Sequence, residues 1–215
     1  MCWNEAVSLN TFAFSTFVLA LIVYNNAYTR YKIESFQNPY MVLFAFSIIS
    51  IQLVEAFIWR NVNDAFYNHV FSCAAAFLLL IQPALSLMLI RDATVRYRMV
   101  AAYLAMAVPY TVYQFIETNI RTVVSPAGHL LWKFFDNSPK PGILLVWAVW
   151  LLFFLFGFVY NGLVVGFCFS VVVLLIAAYN FYTDRTVGSL WCWLANSFML
   201  LAAAYLLLWL PAAKG

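Results

Sequence analysis

Runs of about twenty apolar residues, the length that crosses a bilayer as a helix, follow one another along this chain with only short polar breaks between them. Reading each run to its charged, Asn, Pro or Gly punctuation predicts helices over about 6–28, 39–60, 65–90, 99–117, 142–160, 162–182 and 187–209. Asn38-Pro39 and Pro141-Gly142 open the second and fifth of these, since proline suits a first helical turn. Asn161-Gly162 predicts a tight turn into the sixth, and Pro211 is expected to stop the last. The one long connection is 118–141. Part of it, 129–135, is apolar and aromatic, so an interfacial helix is predicted over about 126–136. The fold class that follows is all-α, a polytopic membrane bundle of about seven helices forming a single domain over 1–215.

Composition removes the alternatives. The chain is 66% hydrophobic and 9% charged, with a mean hydropathy of +0.89, whereas a soluble domain has roughly 45–50% apolar and about 25% charged residues. So few charges cannot cover so much apolar surface in water, which makes the lipid bilayer the expected partner. The predicted spans use nearly all of the 215 residues and leave no room for a soluble domain. A net charge of +3 without a basic stripe excludes nucleic acid as a partner, and Arg91, Arg96 and Arg98 read as a membrane-surface cluster. Arg30 and Lys32 after the first span place the N-terminus outside or in a lumen and the C-terminus in the cytoplasm. The residues before the first span lack the basic region of a cleavable signal peptide, so that helix is expected to be retained.

Polar side chains inside such spans are costly and therefore mark function. The second helix carries Gln52, Glu55 and Trp59 on one face. The fourth repeats the Gln-x-x-Glu spacing, with Tyr110, Tyr113, Gln114 and Glu117 sharing a stripe. Gln82 lies before Pro83 in the third helix and Asn196 lies in the seventh. Together these residues predict a polar, aromatic-lined pocket in the outer half, with Glu55 as its deepest carboxylate. The plainer reading pairs Glu117 with Arg121 four residues on, and Glu55 with Arg60.

Absences narrow the chemistry. No lysine lies within a span, so a retinal Schiff base is excluded, and no metal is expected. The two histidines, His69 and His129, sit at span ends, and no serine-nucleophile motif is present. No resident cofactor is expected beyond a bound lipid or pigment.

Three short stretches carry a family likeness: Met1-Cys2-Trp3-Asn4 leading to Ser8, the run from Gln52-Leu53-Val54-Glu55 to Trp59, and Gln82-Pro83. In these the chain resembles a family of uncharacterised multi-pass membrane proteins, a domain of unknown function met in large DNA viruses and some microbes. The resemblance implies seven helices and brings no activity.

The expectation from the residues is a small channel or carrier for protons or cations that uses Glu55, because intramembrane carboxylates mark ion routes. The alternative is a non-enzymatic binding protein: a receptor-like bundle for a small molecule, a lipid or pigment binder, or a subunit of a homo-oligomer or larger membrane complex. The 20% aromatic content favours that alternative. An enzyme acting on lipids comes third, since no nucleophile or metal set accompanies the carboxylates.

Overall fold

The computed structural model describes residues 4–117, 120–134 and 143–214, and the protein is 79% helical. Side-chain caps define where the first helices begin. Helix α1 (Glu5–Tyr28) opens on Asn4, whose Oδ1 accepts from the Val7 N–H at 2.8 Å. A 3-10 turn, Glu34–Gln37, leads to α2 (Pro39–Arg60), which has Asn38 as its cap and Pro39 in its first turn. Asp64 accepts from the Phe66 and Tyr67 N–H groups to open α3 (Ala65–Leu87). Asp92 does the same for α4 (Ala93–Glu117), accepting from Val95 at 3.0 Å.

That last cap moves a boundary. The fourth helix begins at Ala93 rather than at 99, so Arg96 and Arg98 are helical residues, and the third ends at Leu87 rather than at 90. Charge punctuation misleads here because long basic side chains project from a helix end into a polar layer without breaking the backbone pattern.

The connection predicted as an interfacial helix is instead a β-hairpin, β1 (Thr122–Val124) paired antiparallel with β2 (Leu130–Trp132), within the described residues to 134. Three β-branched residues, Thr122, Val123 and Val124, favour an extended chain. The chain reverses over Ser125–His129, where Gly128 takes a φ of 80° that disfavours a side chain. The hairpin is locked to the helices. Asn68 donates to the Thr122 carbonyl at 2.9 Å and accepts from the Thr122 N–H at 3.0 Å, and Ser189 donates to the Leu130 carbonyl at 2.8 Å. Leu130 and Trp132 are thereby buried, and burial lowers the pKa of His129 against the opposing pull of Asp184.

Helices α5 (Ile143–Tyr160) and α6 (Val164–Phe181) follow, joined by a turn in which Gly162 has a φ of 67°. The seventh apolar run is not one continuous helix. It is α7 (Val187–Ala195), a break at Asn196-Ser197, α8 (Phe198–Ala204), a π-helical turn (Tyr205–Trp209) and α9 (Leu210–Lys214). Pro211 lies inside α9 instead of stopping the run, directly after the π turn whose last bond joins the Leu210 N–H to the Tyr205 carbonyl. Among the described residues six helical stretches are long and apolar enough to cross a membrane: α1, α2, α3, α4, α6 and the run Val187–Ala213. The apolar α5 begins at the edge of the described residues.

Helix α2 packs between α1 and α3, α3 continues onto α5, and α6 lies on α7. Pro83 has no N–H to give the Leu79 carbonyl. Trp150 of α5 fills that vacancy, its indole N–H donating to Leu79 at 2.8 Å. One turn on, Ser86 Oγ donates to the Phe154 carbonyl at 2.6 Å. The helices come so close at Gly157 that an added Cβ would strike the Ser86 carbonyl. Around this contact Phe44, Trp150, Phe154, Phe158 and Trp191 form a ring-on-ring cluster that ties α2, α5 and α7 together, with Trp150 stacked on Phe154 at 4.8 Å. Replacing Gly157 by Ala is therefore expected to destabilise the protein by about 1–3 kcal/mol, the usual cost of overpacking. Thermal unfolding in detergent micelles measures this, and a variant as stable as wild type would refute the close approach.

Candidate functional site

The polar residues that the helical pattern brings together are dispersed by the fold into three places. Gln52 and Glu55 form the first: both are fully buried, and Gln52 Nε2 donates to Glu55 Oε2 at 2.7 Å. Three residues separate them, so the bond lies along one face of α2. Arg60, the expected partner of Glu55 in the plainer reading, turns instead to Glu5 at 2.8 Å and ties the end of α2 to the start of α1.

Gln82 is buried but belongs elsewhere. It precedes Leu87, the last residue of α3, by five positions, as Glu55 precedes Arg60, the last residue of α2. The two helices are antiparallel, so these positions lie near opposite ends. At about 1.5 Å per residue they stand on the order of 18 Å apart along the axis. The second place is a crevice of about 290 Å³ between α3, α4 and α5. There Gln114 Nε2 donates to Tyr110 Oη at 2.8 Å, while Tyr113 is 58% exposed. The Glu117 side chain lies outside the described residues. Trp59 packs with Phe71 and Trp193 around the buried Leu130 of the hairpin, which makes it part of a structural contact. The single outer pocket expected around Glu55 is thus not assembled, because α3 stands between the polar faces of α2 and α4.

The third place is larger. A cavity of about 850 Å³ lies between α2, α5, α6 and the α7–α8 stretch. Its mouth is at the end of the bundle where Lys32, Glu34 and Gly162 sit, and its walls include Phe44, Ile48, Phe158, Phe169 and Phe198. Asn196 and Trp191 border it deepest in the bundle, and both are nearly fully buried. Asn196 is the one predicted site residue that reaches this cavity. The break after α7 and the π turn after α8 both lie on its wall, through Asn196 and Phe198 at one and Tyr205 at the other. Such irregularities interrupt the regular helical ladder and are frequent at functional positions.

One contributor went unrecognised by pattern reading. Phe154 is an ordinary apolar residue in sequence, and only the crossing of α5 with α7 brings it against Trp191 on the cavity wall. The visible trace was Asn196-Ser197, a polar pair inside an otherwise apolar run. Among the described residues no group of three or more His, Cys, Asp or Glu could hold a metal ion. Comparison of the chain with family profiles, with curated proteins and with solved structures returns no match.

The Gln52–Glu55 bond has a measurable consequence. Glu55→Ala would leave the Gln52 amide donor buried, at a cost of about 1–3 kcal/mol. Glu55→Gln keeps an acceptor at the same place and is expected to cost less than about 1 kcal/mol. Equal losses for the two variants in chemical unfolding would show that the bond contributes nothing.

Proposed function

We propose that this chain is a membrane protein of seven crossings that binds an apolar or amphipathic molecule in the α2–α5–α6–α7 cavity. The seventh crossing is α5. Its 18 residues, at about 1.5 Å each, reach about 27 Å, close to a hydrocarbon thickness of about 30 Å. Arg30, Lys32, Arg91, Arg96 and Arg98 cluster at the end of the bundle that holds the cavity mouth. The positive-inside rule makes that end cytoplasmic and leaves the N-terminus outside.

The observation that carries the reading is the cavity itself. Its volume falls in the range of roughly 300–1,000 Å³ typical of ligand pockets, which are mostly apolar with a few placed polar groups. Two ionic side chains at the mouth, Lys32 and Glu34, suit a headgroup, and aromatic and aliphatic walls suit a chain or ring system. Ser170, half-buried on α6, lines the wall. Protein purified in mild detergent is expected to carry a lipid-like mass in native mass spectrometry, and Ser170→Trp is expected to lose it while melting at a similar temperature. An adduct retained unchanged in that variant would overturn the reading.

A second reading keeps the proton or cation route, favoured by one observation: Glu55 is a fully buried carboxylate within a membrane-length helix, bonded to Gln52 at 2.7 Å. In proteoliposomes with a pH-sensitive dye, wild type is expected to show flux that Glu55→Gln reduces at least roughly tenfold, the effect expected of a functional intramembrane carboxylate. Equal flux in the two proteins, or none in either, would end this reading.

A further inference from the structure

The loop between α1 and α2 places two opposite charges side by side on the wall of the large cavity. Lys32 and Glu34 are the charged residues that line it, and both are exposed. Among the described residues neither side chain makes an ion pair or a hydrogen bond. Ile33 between them is extended, with φ −96° and ψ 103°, so the two side chains leave the backbone on the same side. At about 3.3 Å per residue their Cα atoms stand on the order of 7 Å apart.

This loop is held in place. Asn26, near the end of α1, donates to the Ile33 carbonyl at 3.0 Å and accepts from the Ile33 N–H at 2.8 Å. The N–H of the buried Phe36 donates to the same carbonyl at 3.0 Å. The backbone between the two charges is therefore clamped from both directions, and their spacing is preset. Neighbouring cations stay out of the pair. Arg30 lies over the Tyr31 ring at 5.1 Å and donates to its hydroxyl at 3.0 Å, and Arg96 donates to the Ile90 carbonyl at 3.2 Å. Neither they nor Arg91 and Arg98 line the cavity.

The wall thus carries one positive and one negative charge and no net sign. An anionic headgroup at Lys32 is repelled by Glu34, and a cationic one at Glu34 is repelled by Lys32. A headgroup that carries both charges pairs with each. A zwitterionic phospholipid has this chemistry, with a phosphate next to the acyl chains and an amine two carbons further out. Its chains suit the apolar wall of Phe44, Ile48 and Phe169.

We propose that the cavity takes a zwitterionic phospholipid, its phosphate at Lys32 and its amine at Glu34. This rests on the reading of the cavity as a ligand site. Native mass spectrometry of the full-length protein in detergent tests it, by titration with four lipids that share the same acyl chains: phosphatidylethanolamine, phosphatidylcholine, phosphatidylglycerol and diacylglycerol.

Wild type is expected to bind both zwitterions about three- to tenfold more tightly than phosphatidylglycerol or diacylglycerol, the scale of one or two exposed ion pairs. Glu34→Lys is expected to reverse the order in favour of phosphatidylglycerol. Lys32→Glu is expected to remove the advantage of the zwitterions over diacylglycerol. Both substitutions fall on exposed side chains, so the fold tolerates them. Ser170→Trp is expected to lose the selective adducts. If wild type binds the four lipids alike or prefers phosphatidylglycerol, or if Glu34→Lys keeps the wild-type order, the headgroup assignment is wrong. The ligand-site reading stands in those cases as long as Ser170→Trp removes the bound lipid. If Ser170→Trp leaves every adduct in place, the lipid sits on the outer surface and both readings fall.

Discussion

A carbonyl without a donor organises the centre of this molecule. Pro83 removes the N–H that would have reached Leu79, and in surroundings this apolar an unpaired carbonyl costs several kilocalories per mole. Trp150 supplies the missing N–H from the neighbouring helix, which fixes where α5 crosses α3. Ser86 and Gly157 can then meet at backbone distance one turn further on. The same indole ring stacks on Phe154 and meets Trp191, so a single satisfied carbonyl sets the position of three helices. Shifting it would reshape the wall of the cavity.

The end of the bundle away from the cavity's charged residues is held by different means: the hairpin 122–132 lies there against α3 and α7. Its strands meet no continuing sheet, so their buried polar groups need side-chain partners. Asn68 and Ser72 supply them from α3 and Ser189 from α7, with Ser72 Oγ and Thr122 Oγ1 at 2.8 Å. These bonds hold the hairpin at the end of the bundle remote from Lys32 and Glu34 of the cavity wall.

Glu55 and the cavity divide the candidate chemistry between them. The carboxylate is enclosed by protein and bonded to Gln52, a geometry that also serves ordinary helix-to-helix specificity. The cavity has volume and two charged side chains on its wall, and two irregular turns of the last helical run border it. Binding is the reading these features favour. Ion movement needs a continuous polar file, and Gln82 and Gln114, expected to extend it, lie apart from Glu55.

Much of the architecture was legible without coordinates, because a helix crossing lipid must be long and apolar and must end in polar punctuation. Asn38-Pro39 and Asn161-Gly162 mark their turns for local reasons that no neighbour can override. The faces of α2 and α4 were legible too, since helical periodicity alone puts Gln52 beside Glu55 and Gln114 beside Tyr110. What periodicity cannot state is which faces meet. Gln-x-x-Glu recurs on two helices, but α3 intervenes, and that order in space depends on the Leu79–Trp150 bond and the Gly157 contact. The hairpin was hidden for a related reason: its aromatic stretch suits an interfacial helix until Asn68 and Ser189, 54 and 59 residues distant from their partners, bind its backbone. Spans and turns follow from the solvent acting on each segment separately. The cavity and the separation of Glu55 from Gln82 and Gln114 follow only from how the helices cross.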